Sequence, residues 1–297
     1  MNKPVITGIR RSSVFSPNHI VNDASIFNGV AEYMMGKGYP VTVLSEPEFL
    51  SLSTNPLFAF VMLRNPDAIK RMQQWEQAGC RCVNSAFGIE NTGRERMTKL
   101  LMEHHIPYPD SVIVHTNEQV EPLLEQHGFT SCWIKRHDFH ALHREDVAYA
   151  RHPEEVQGLL AEYALRGIDK VVINKHLEGD LIKFYGVADS PFFYWFYPYE
   201  QRHTKFGWEK INGKSKEIPF DGEKLRELCS KAAHVLNLIV YGGDCIVSPD
   251  GIIRIIDFND WPSFAPCRNE AIPAIGQRII QLLSPFEGGQ GDVTLPL

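Results

Sequence analysis

The 297-residue chain lacks long apolar runs and carries no excess of positive charge. No segment approaches the ~18 consecutive apolar residues that a membrane-spanning helix requires, which argues against a membrane protein. The first residues, MNKPVITGIRRSS, lack the apolar core of a secretory signal, so we expect a cytoplasmic protein. The net charge of −6 gives no support for binding to nucleic acid or to a membrane surface.

The cysteines also lack the spacing that is typical of metal-binding or redox sites. None of the six cysteines forms the Cys-x-x-Cys pair of a zinc or redox site. Cys80 and Cys82 begin a predicted strand, and we expect them to be reduced thiols, as is usual in the cytoplasm. The sequence shows neither internal repeats nor a Ser-His-Asp or Cys-His signature, so nucleophilic catalysis by a side chain is not indicated.

Short apolar runs alternate with longer segments of helical periodicity, which is the pattern of an α/β protein. Apolar residues make up 43% of the chain, enough for a sizeable core. Residues 1–105 contain four strand-like runs, at 5–9, 41–44, 58–63 and 81–84. We therefore predict a compact N-terminal domain.

The next boundary is marked by proline. The helical segment that includes Arg94 is stopped by Pro107 and Pro109, since the residue before a proline disfavours helix. Beyond it, apolar runs and helical segments continue to alternate. We therefore place a boundary between domains at about residue 105.

A carboxylate and an amide follow one apolar strand near the C-terminus, in RIIDFNDWPSF at residues 254–264. Side chains alternate along a strand, so Ile255, Asp257 and Asn259 are predicted to share one face. Polar groups at a buried strand end are costly unless something pairs with them.

Asp244 lies one strand earlier, across a predicted hairpin with a short Pro-Asp-Gly turn. Opposite residues of antiparallel strands approach closely, so the carboxylates of Asp244 and Asp257 can touch one ion. Carboxylate and amide oxygens suit Mg²⁺, which completes its shell with water and phosphate oxygens. The alternative is a polar strand end that is hydrogen-bonded to loop amides.

Taken in order, five segments resemble the ATP-grasp superfamily, and within it the RimK-like branch, over nearly the whole chain. MLRNP (62–66) and the segment 79–109 resemble the N-terminal domain and its junction. WIKRH (133–137) resembles the strand that offers a lysine to the nucleotide phosphates. INKHLEGDLIKFYGV (173–187) resembles the hinge beside adenine, and residues 241–264 resemble the closing metal pattern.

The resemblance implies an ATP-grasp fold with an N-terminal pre-ATP-grasp α/β domain over residues 1–105. A small ATP-grasp subdomain over 106–173 and a large one with the metal site over 174–297 would follow, with ATP and Mg²⁺ as cofactors. It implies that phosphates contact Lys135, and that Arg94 stands where a second phosphate lysine is usual. The family usually has an acidic residue where Asn174 stands. The remaining implied roles are metal binding by Asp244, Asp257 and Asn259, adenine binding by Asn174, Lys175 and Leu177, and contact with the γ-phosphate or substrate by Lys183. For the cationic residues the alternative is a solvated surface side chain.

The sequence departs from the family pattern in two places. The loop after the phosphate lysine, RHDFHALHREDVAY, contains no glycine but does contain Arg136, His137, His140 and His143. Such a loop can screen phosphate, bind an anionic substrate, or be an ordinary polar loop. The ending IDFNDWPSF and the strand that includes Lys183 are similar to those of ATP-grasp inositol phosphate kinases.

Several arginines are candidates for binding a substrate carboxylate or phosphate. Arg10, Arg11 and Arg64 follow predicted strands, and ligands of open α/β sheets bind beyond strand ends. Surface ion pairing is the alternative for each. Weaker candidates of the same kind are Arg202, His203, Lys205 and Arg268.

The resemblance to the ATP-grasp superfamily implies an ATP-dependent, Mg²⁺-requiring carboxylate–amine ligase that acts through an acyl phosphate. The first alternative is an ATP-grasp kinase that phosphorylates a hydroxyl of a polyol or an inositol phosphate. The second is a non-catalytic nucleotide-binding module. The expected partner is an anionic small molecule or peptide, and the sequence leaves the oligomeric state open, a homo-oligomer included.

Overall fold

The structure is a computed structural model that describes residues 3–17, 19–138, 144–199, 211 and 213–287. Outside these ranges lie His140, His143, Arg202, His203 and Lys205.

The chain divides into two compact units. Unit 1 comprises the described residues of Met1–Ala86, Val187–Phe192 and Trp261–Leu297, and unit 2 those of Phe87–Gly186 and Phe193–Asp260. The domains predicted from the sequence, with divisions at residues 105 and 173, stay a prediction.

A four-stranded parallel sheet of order β2-β1-β3-β4 forms the centre of unit 1. Its strands are β1 (Ile6–Arg10), β2 (Val41–Ser45), β3 (Phe58–Val61) and β4 (Arg81–Val83). All four coincide with predicted apolar runs. Because the strands are parallel, their carboxyl ends meet at one edge of the sheet.

Four helices belong to unit 1: α1 (Ile20–Gly36), α2 (Glu46–Leu50), α3 (Pro66–Gln77) and α9 (Arg268–Glu287). Helix α1 begins at Ile20, with His19 at its N-cap position. Helix α2 was not predicted, and it is stabilised by a capping box between Ser45 and Glu48. Helices α1 and α9 pack so closely at Gly29 that a side chain there would collide with Ile272.

Unit 2 contains two four-stranded sheets. The first, antiparallel and of order β5-β8-β6-β7, consists of β5 (Ser111–His115), β6 (Cys132–Arg136), β7 (Val147–Ala150) and β8 (Lys170–Lys175). Strands β5 and β7 were not predicted. The other sheet, of order β10-β9-β11-β12, consists of β9 (Asp180–Val187), β10 (Phe193–Phe196), β11 (Val240–Val247) and β12 (Ile253–Asp260).

One face of the first sheet of unit 2 packs into an apolar core. Ile134, Ile173 and Leu160 belong to a buried cluster on the face that carries helices. Because strand residues alternate, Lys135 and Asn174 point to the opposite face. The helices assigned to unit 2 are α5 (Arg94–Glu103), α6 (Glu121–Gln126), α7 (Val156–Leu165) and α8 (Gly222–Val235), and the short α4 (Ala86–Asn91) spans the boundary with unit 1.

In the part of the chain that the structure describes, every helix is too short or too polar to cross a membrane.

Candidate functional site

Strands β11 and β12 form the antiparallel hairpin that the sequence predicts. Asp244 lies directly opposite Asp257, and Gly242 lies opposite Asn259. Asp257 and Asn259 therefore share a face with Asp244, as predicted. The neighbouring Gly243 leaves room for the close approach of the strands, because a side chain there would collide with the main-chain carbonyl of Asp257.

A β-bulge interrupts this hairpin beside the carboxylates. Cys245 pairs with Ile255 while Asp244 pairs with Asp257, so Ile256 is an extra residue in β12. Ile255 consequently shares the buried face of Cys245, and its predicted place beside Asp257 is wrong. Strict alternation cannot anticipate an inserted residue.

Lys183 on β9 lies against the first carboxylate. Its Nζ donates a hydrogen bond to Asp244 Oδ1 at 2.9 Å, and both side chains are largely buried. Strands β9 and β11 are neighbours in the sheet, which brings these two side chains together. The lysine is therefore an integral part of the carboxylate cluster, and it is not a solvated surface residue.

Lys135 on β6 reaches the bulge from the other sheet of unit 2. Its Nζ donates to the main-chain carbonyl of Ile256 at 3.0 Å. Burial lowers the pKa of Lys135 to about 8, although Asp257 and Asp244 act in the opposite direction. Strand β6 lies between β8 and β7, so Lys135 is neither on an edge strand nor solvated.

Arg94, the first residue of α5, is 3% exposed. Its positive charge contributes to the lowered pKa of Lys135 and opposes the raised pKa of Tyr108, which indicates that it lies near both. Burial excludes the alternative of a solvated helix start. Three cationic side chains and two carboxylates thus converge in unit 2.

Asn174 faces the same side of the sheet as Lys135 and is almost completely buried. Its Nδ2 donates to Ser111 Oγ at 2.7 Å, and that hydroxyl in turn donates to the carbonyl of Pro109 at 2.7 Å. Since the hydroxyl hydrogen is used, Ser111 must accept from Asn174, which fixes the orientation of the amide.

The two other predicted adenine residues are placed differently. Lys175 follows Asn174 on β8 and lies 3.7 Å from Asp110 Oδ2. Leu177 is half-buried in the connection between β8 and β9. The contacts of these residues with adenine stay a prediction.

Sequence reasoning missed Tyr108, which joins the cluster. Its hydroxyl lies 3.3 Å from Thr98 Oγ1 and 3.5 Å from Asn174 Nδ2. Burial raises the pKa of Tyr108 to about 12. The two flanking prolines were interpreted only as a helix stop, and no local pattern indicates that a tyrosine between them points inward.

Also missed was an aromatic group on the same sheet. The indole of Trp133 donates to His176 Nδ1 at 3.1 Å, and Tyr149 packs edge-on against His176. Burial lowers the pKa of His176, which favours the neutral imidazole that accepts this hydrogen bond. Trp133 and Tyr149 lie on β6 and β7 and His176 directly follows β8, so no spacing along the chain reveals them.

The basic residues after β6 are engaged with acids. Arg136 donates to Asp138 Oδ1 at 2.6 Å and also pairs with the buried Asp146. The His137 ring lies between Glu95 and Asp169, at 3.5 and 3.4 Å. These contacts favour a structural role for both residues over the predicted contact with phosphate or substrate.

Arg268 begins α9 in unit 1. Its Nη2 donates to Asn22 Oδ1 at 3.0 Å and its Nε to the carbonyl of Ser263 at 3.3 Å. Both contacts join segments of unit 1, and the predicted binding of a substrate carboxylate or phosphate by Arg268 stays a prediction.

A cavity of about 380 Å³ lies within unit 1, beyond the carboxyl ends of β1 and β2. Arg10, Arg11 and Ser45 line it, while Arg64 is not among its lining residues. Arg11 Nη1 lies 3.1 Å from Asp23 Oδ2, and Arg10 is exposed. The structure therefore brings Arg10 and Arg11 to a concave surface, as expected for ligands of open α/β sheets.

The donor set at the hairpin fits a hard cation. Among the residues described, no three His, Cys, Asp or Glu side chains are grouped to hold a metal ion by themselves. Two opposed carboxylates and one amide are available instead, from Asp244, Asp257 and Asn259. Such a partial set matches Mg²⁺, which takes its other ligands from water and phosphates.

Comparisons with known proteins identify the fold of the chain but not its family. No family model and no curated protein matches the chain. Solved structures do match along almost the full length. D-alanine–D-alanine ligase from Bacillus anthracis, complexed with ATP, has a TM-score of 0.67 at 16% identity, covering 97% of this chain and 100% of that one.

The chain has an ATP-grasp fold. The ATP-grasp ligase PsnB, complexed with a minimal precursor, aligns with a TM-score of 0.61 at 14% identity over 95% of this chain and 99% of that one. D-alanyl-alanine synthetase A from Vibrio cholerae O1 biovar eltor gives 0.67 at 12% identity over 96% and 98%. The ATP-grasp fold predicted from the sequence is confirmed. The finer resemblances, to the RimK-like branch and to inositol phosphate kinases, are not confirmed by these matches.

Proposed function

We propose that this chain is an ATP-dependent enzyme that joins a carboxylate to an amine. The observation that carries the proposal is the convergence of Lys135 and Lys183 on the hairpin that bears Asp244 and Asp257. Cations beside paired carboxylates suit a metal-bound polyphosphate, which needs both. The solved structures with this fold that are named above are ligases, which supports the same direction.

Each part of the cluster has a proposed task. Lys135 and Arg94 neutralise the phosphates of ATP, and the β8 end, with Asn174, Lys175 and Leu177, borders the adenine. Mg²⁺ held by Asp244, Asp257 and Asn259 would supply charge neutralisation and orientation of the phosphates. Lys183 would contact the transferred phosphate or the substrate. Arg268 is a weaker candidate for contact with the substrate.

The proposed chemistry proceeds in two steps. A substrate carboxylate attacks the γ-phosphorus of ATP, the bond from that phosphorus to the bridging oxygen of ADP breaks, and an acyl phosphate forms. An amine then attacks the acyl carbon, phosphate leaves, and the amine loses a proton. The first step needs no general base because a carboxylate is already ionised at neutral pH. The chain's part is therefore positioning and charge neutralisation.

The proposed substrate is an anionic small molecule or peptide. Its support is the cavity of unit 1, where Arg10 is exposed and Arg11 is held by Asp23. A volume of about 380 Å³ suits a small ligand or one residue of a peptide. We propose that residues 1–105 select the substrate, and that 106–173 and 174–297 are the small and large ATP-grasp subdomains.

The test is the fate of the γ-phosphate. Candidate acids and amines are first screened by thermal shift with Mg-ATP, because ligands that bind the native state raise its melting temperature. Phosphorus NMR then follows turnover with the ligands found. A ligase gives ADP and free phosphate only when acid and amine are both present. Phosphate retained on a hydroxyl would instead establish the kinase, for which the IDFNDWPSF ending argues, and absence of turnover would favour a binding module.

A further inference from the structure

The charges at the hairpin are arranged unfavourably for a bare metal ion. Lys183 Nζ lies 2.9 Å from Asp244 Oδ1, on a carboxylate that the proposed metal needs. Lys135 is held beside Asp257 by the carbonyl of Ile256, and Arg94 is close enough to depress the pKa of Lys135. Three positive side chains therefore surround two negative ones.

We infer that Lys183 and a divalent cation compete for Asp244, so that the metal enters only together with a polyphosphate. The inference rests on the proposed function, because it takes the hairpin as the site of a metal–nucleotide complex. Lys183 is then a positioning residue that prevents the metal from binding Asp244 alone and allows it to bind together with a polyphosphate.

Coulombic repulsion is the physical reason. A divalent ion that enters alone must approach Lys183, Lys135 and Arg94 in a region shielded from water, where interactions between charges are strong. A polyphosphate reverses the balance, since its oxygens offer the lysine ammonium groups an alternative partner. Lys183 can then leave Asp244 for a phosphate oxygen, and the carboxylate becomes available to the metal.

Lys183 is the residue to change because its bond is to the carboxylate itself. Lys135 bonds to a main-chain carbonyl, which is not one of the proposed metal ligands. Arg94 affects the cluster through its positive charge, which contributes to the lowered pKa of Lys135. Removing the Lys183 charge should therefore expose Asp244 to a metal while most of the site is kept.

The experiment titrates Mn²⁺ into the nucleotide-free full-length chain, with binding measured by calorimetry and by the EPR signal of free Mn²⁺. We expect Lys183→Met to lower the Kd for Mn²⁺ by about tenfold or more, the size that one nearby unit charge produces at intermediate dielectric. Lys99→Met is the matched control, since Lys99 pairs with Glu95 at 2.7 Å on the exposed side of α5. It should leave the Kd for Mn²⁺ unchanged.

Two further variants separate competition from a general loosening of the structure. Lys183→Met combined with Asp244→Asn should lose the gain, because the released carboxylate is no longer there. Lys183→Gln, which keeps a donor but no charge, should shift the Kd in the same direction and serves if Lys183→Met fails to fold. Equal Mn²⁺ affinity in the original chain and in Lys183→Gln or Lys183→Met overturns the inference, and so does a gain that survives Asp244→Asn.

A separate arm tests the proposed function on which the inference rests. The unaltered chain is titrated with Mn²⁺ in the presence of a non-hydrolysable ATP analogue, and joint binding is expected. If the analogue and metal do not bind, the nucleotide site itself is wrong, whatever the metal-only titrations show. If they bind and the metal-only titrations show no difference, only the role of Lys183 is wrong.

Discussion

Two carboxylates, Glu46 beside the cavity of unit 1 and Asp244 in the hairpin of unit 2, are satisfied by different kinds of donor. Glu46, beside the cavity, is 1% exposed and accepts hydrogen bonds from main-chain nitrogens, those of Arg64 at 2.6 Å, Asn65 at 2.9 Å and Ser12 at 3.2 Å. Asp244 of the hairpin has a side-chain ammonium on one of its oxygens.

This difference separates a fixed acid from an exchangeable one. Main-chain donors cannot leave without unfolding the loops that carry them, so Glu46 ties the loop after β1 to the loop after β3. A lysine side chain can rotate away to another anion at little cost. Glu46 should therefore matter for stability, and the hairpin carboxylates for turnover.

The largest expected effect is on turnover, from Asp257→Asn. The substitution keeps the size of the side chain but removes the charge opposite Asp244, and we expect turnover to fall by on the order of 10²-fold or more. Release of ADP is the measurement. Asp250→Asn, in the exposed turn of the same hairpin, is the control and should change turnover little. Unchanged turnover in Asp257→Asn would refute the metal assignment.

Next in size is the effect of Glu46→Gln on stability. The amide keeps one acceptor oxygen but presents a donor group toward main-chain N–H groups, so buried donors lose their partner. We expect the free energy of unfolding to fall by about 2 kcal/mol, measured by denaturant titration. Glu48→Gln, which alters only the exposed capping box of α2, should cost less. Equal losses in both variants would contradict the tying role of Glu46.

Arg10→Ala should raise the KM for the acidic substrate by about tenfold with kcat nearly unchanged, because it removes uniform binding of the anion. Steady-state kinetics with the substrate found by the thermal-shift screen measure the two constants separately. Arg96→Ala, at an exposed pair with Glu90 in unit 2, is the control. A fall in kcat at constant KM would place Arg10 in the chemical step instead.

Features that depend on residues close together in the sequence could be predicted, whereas features that depend on distant residues could not. Asp244 and Asp257 were found because one short hairpin brings them together, and the parallel strands of unit 1 were found from apolar runs. The bulge at Ile256 was not, since alternation has no signal for an inserted residue. Its bond to Lys135 joins residues far apart in sequence, beyond the reach of any local pattern.

Missed elements share another cause. Strand β7 lies within the segment that reads as a polar loop, and β5 is a short run directly after two prolines. Each is stabilised by pairing with a neighbouring strand more than by its own composition, which is common for strands. The inward position of Tyr108 likewise depends on Thr98 and Asn174, which no spacing connects to it.

The smallest expected effect concerns Glu95, whose carboxylate is held by side-chain ammonium groups, as Asp244 is, but whose partner Lys99 has a side chain that is 62% exposed. Its bond to Lys99, with further help from Lys170, lowers the pKa of Glu95 to about 2. A lowered folded-state pKa stabilises the protein above the unfolded value, near 4.3, and the stabilisation is lost as the pH falls toward about 2. Glu95→Gln should therefore cost less than about 1 kcal/mol at pH 7, since solvent screens these pairs, and the difference from the original chain should shrink between pH 5 and about 2. Urea titrations of both proteins across that range measure it. If the difference in the free energy of unfolding between the two proteins stays constant across this range, Glu95 stabilises the protein through packing and not through its charge.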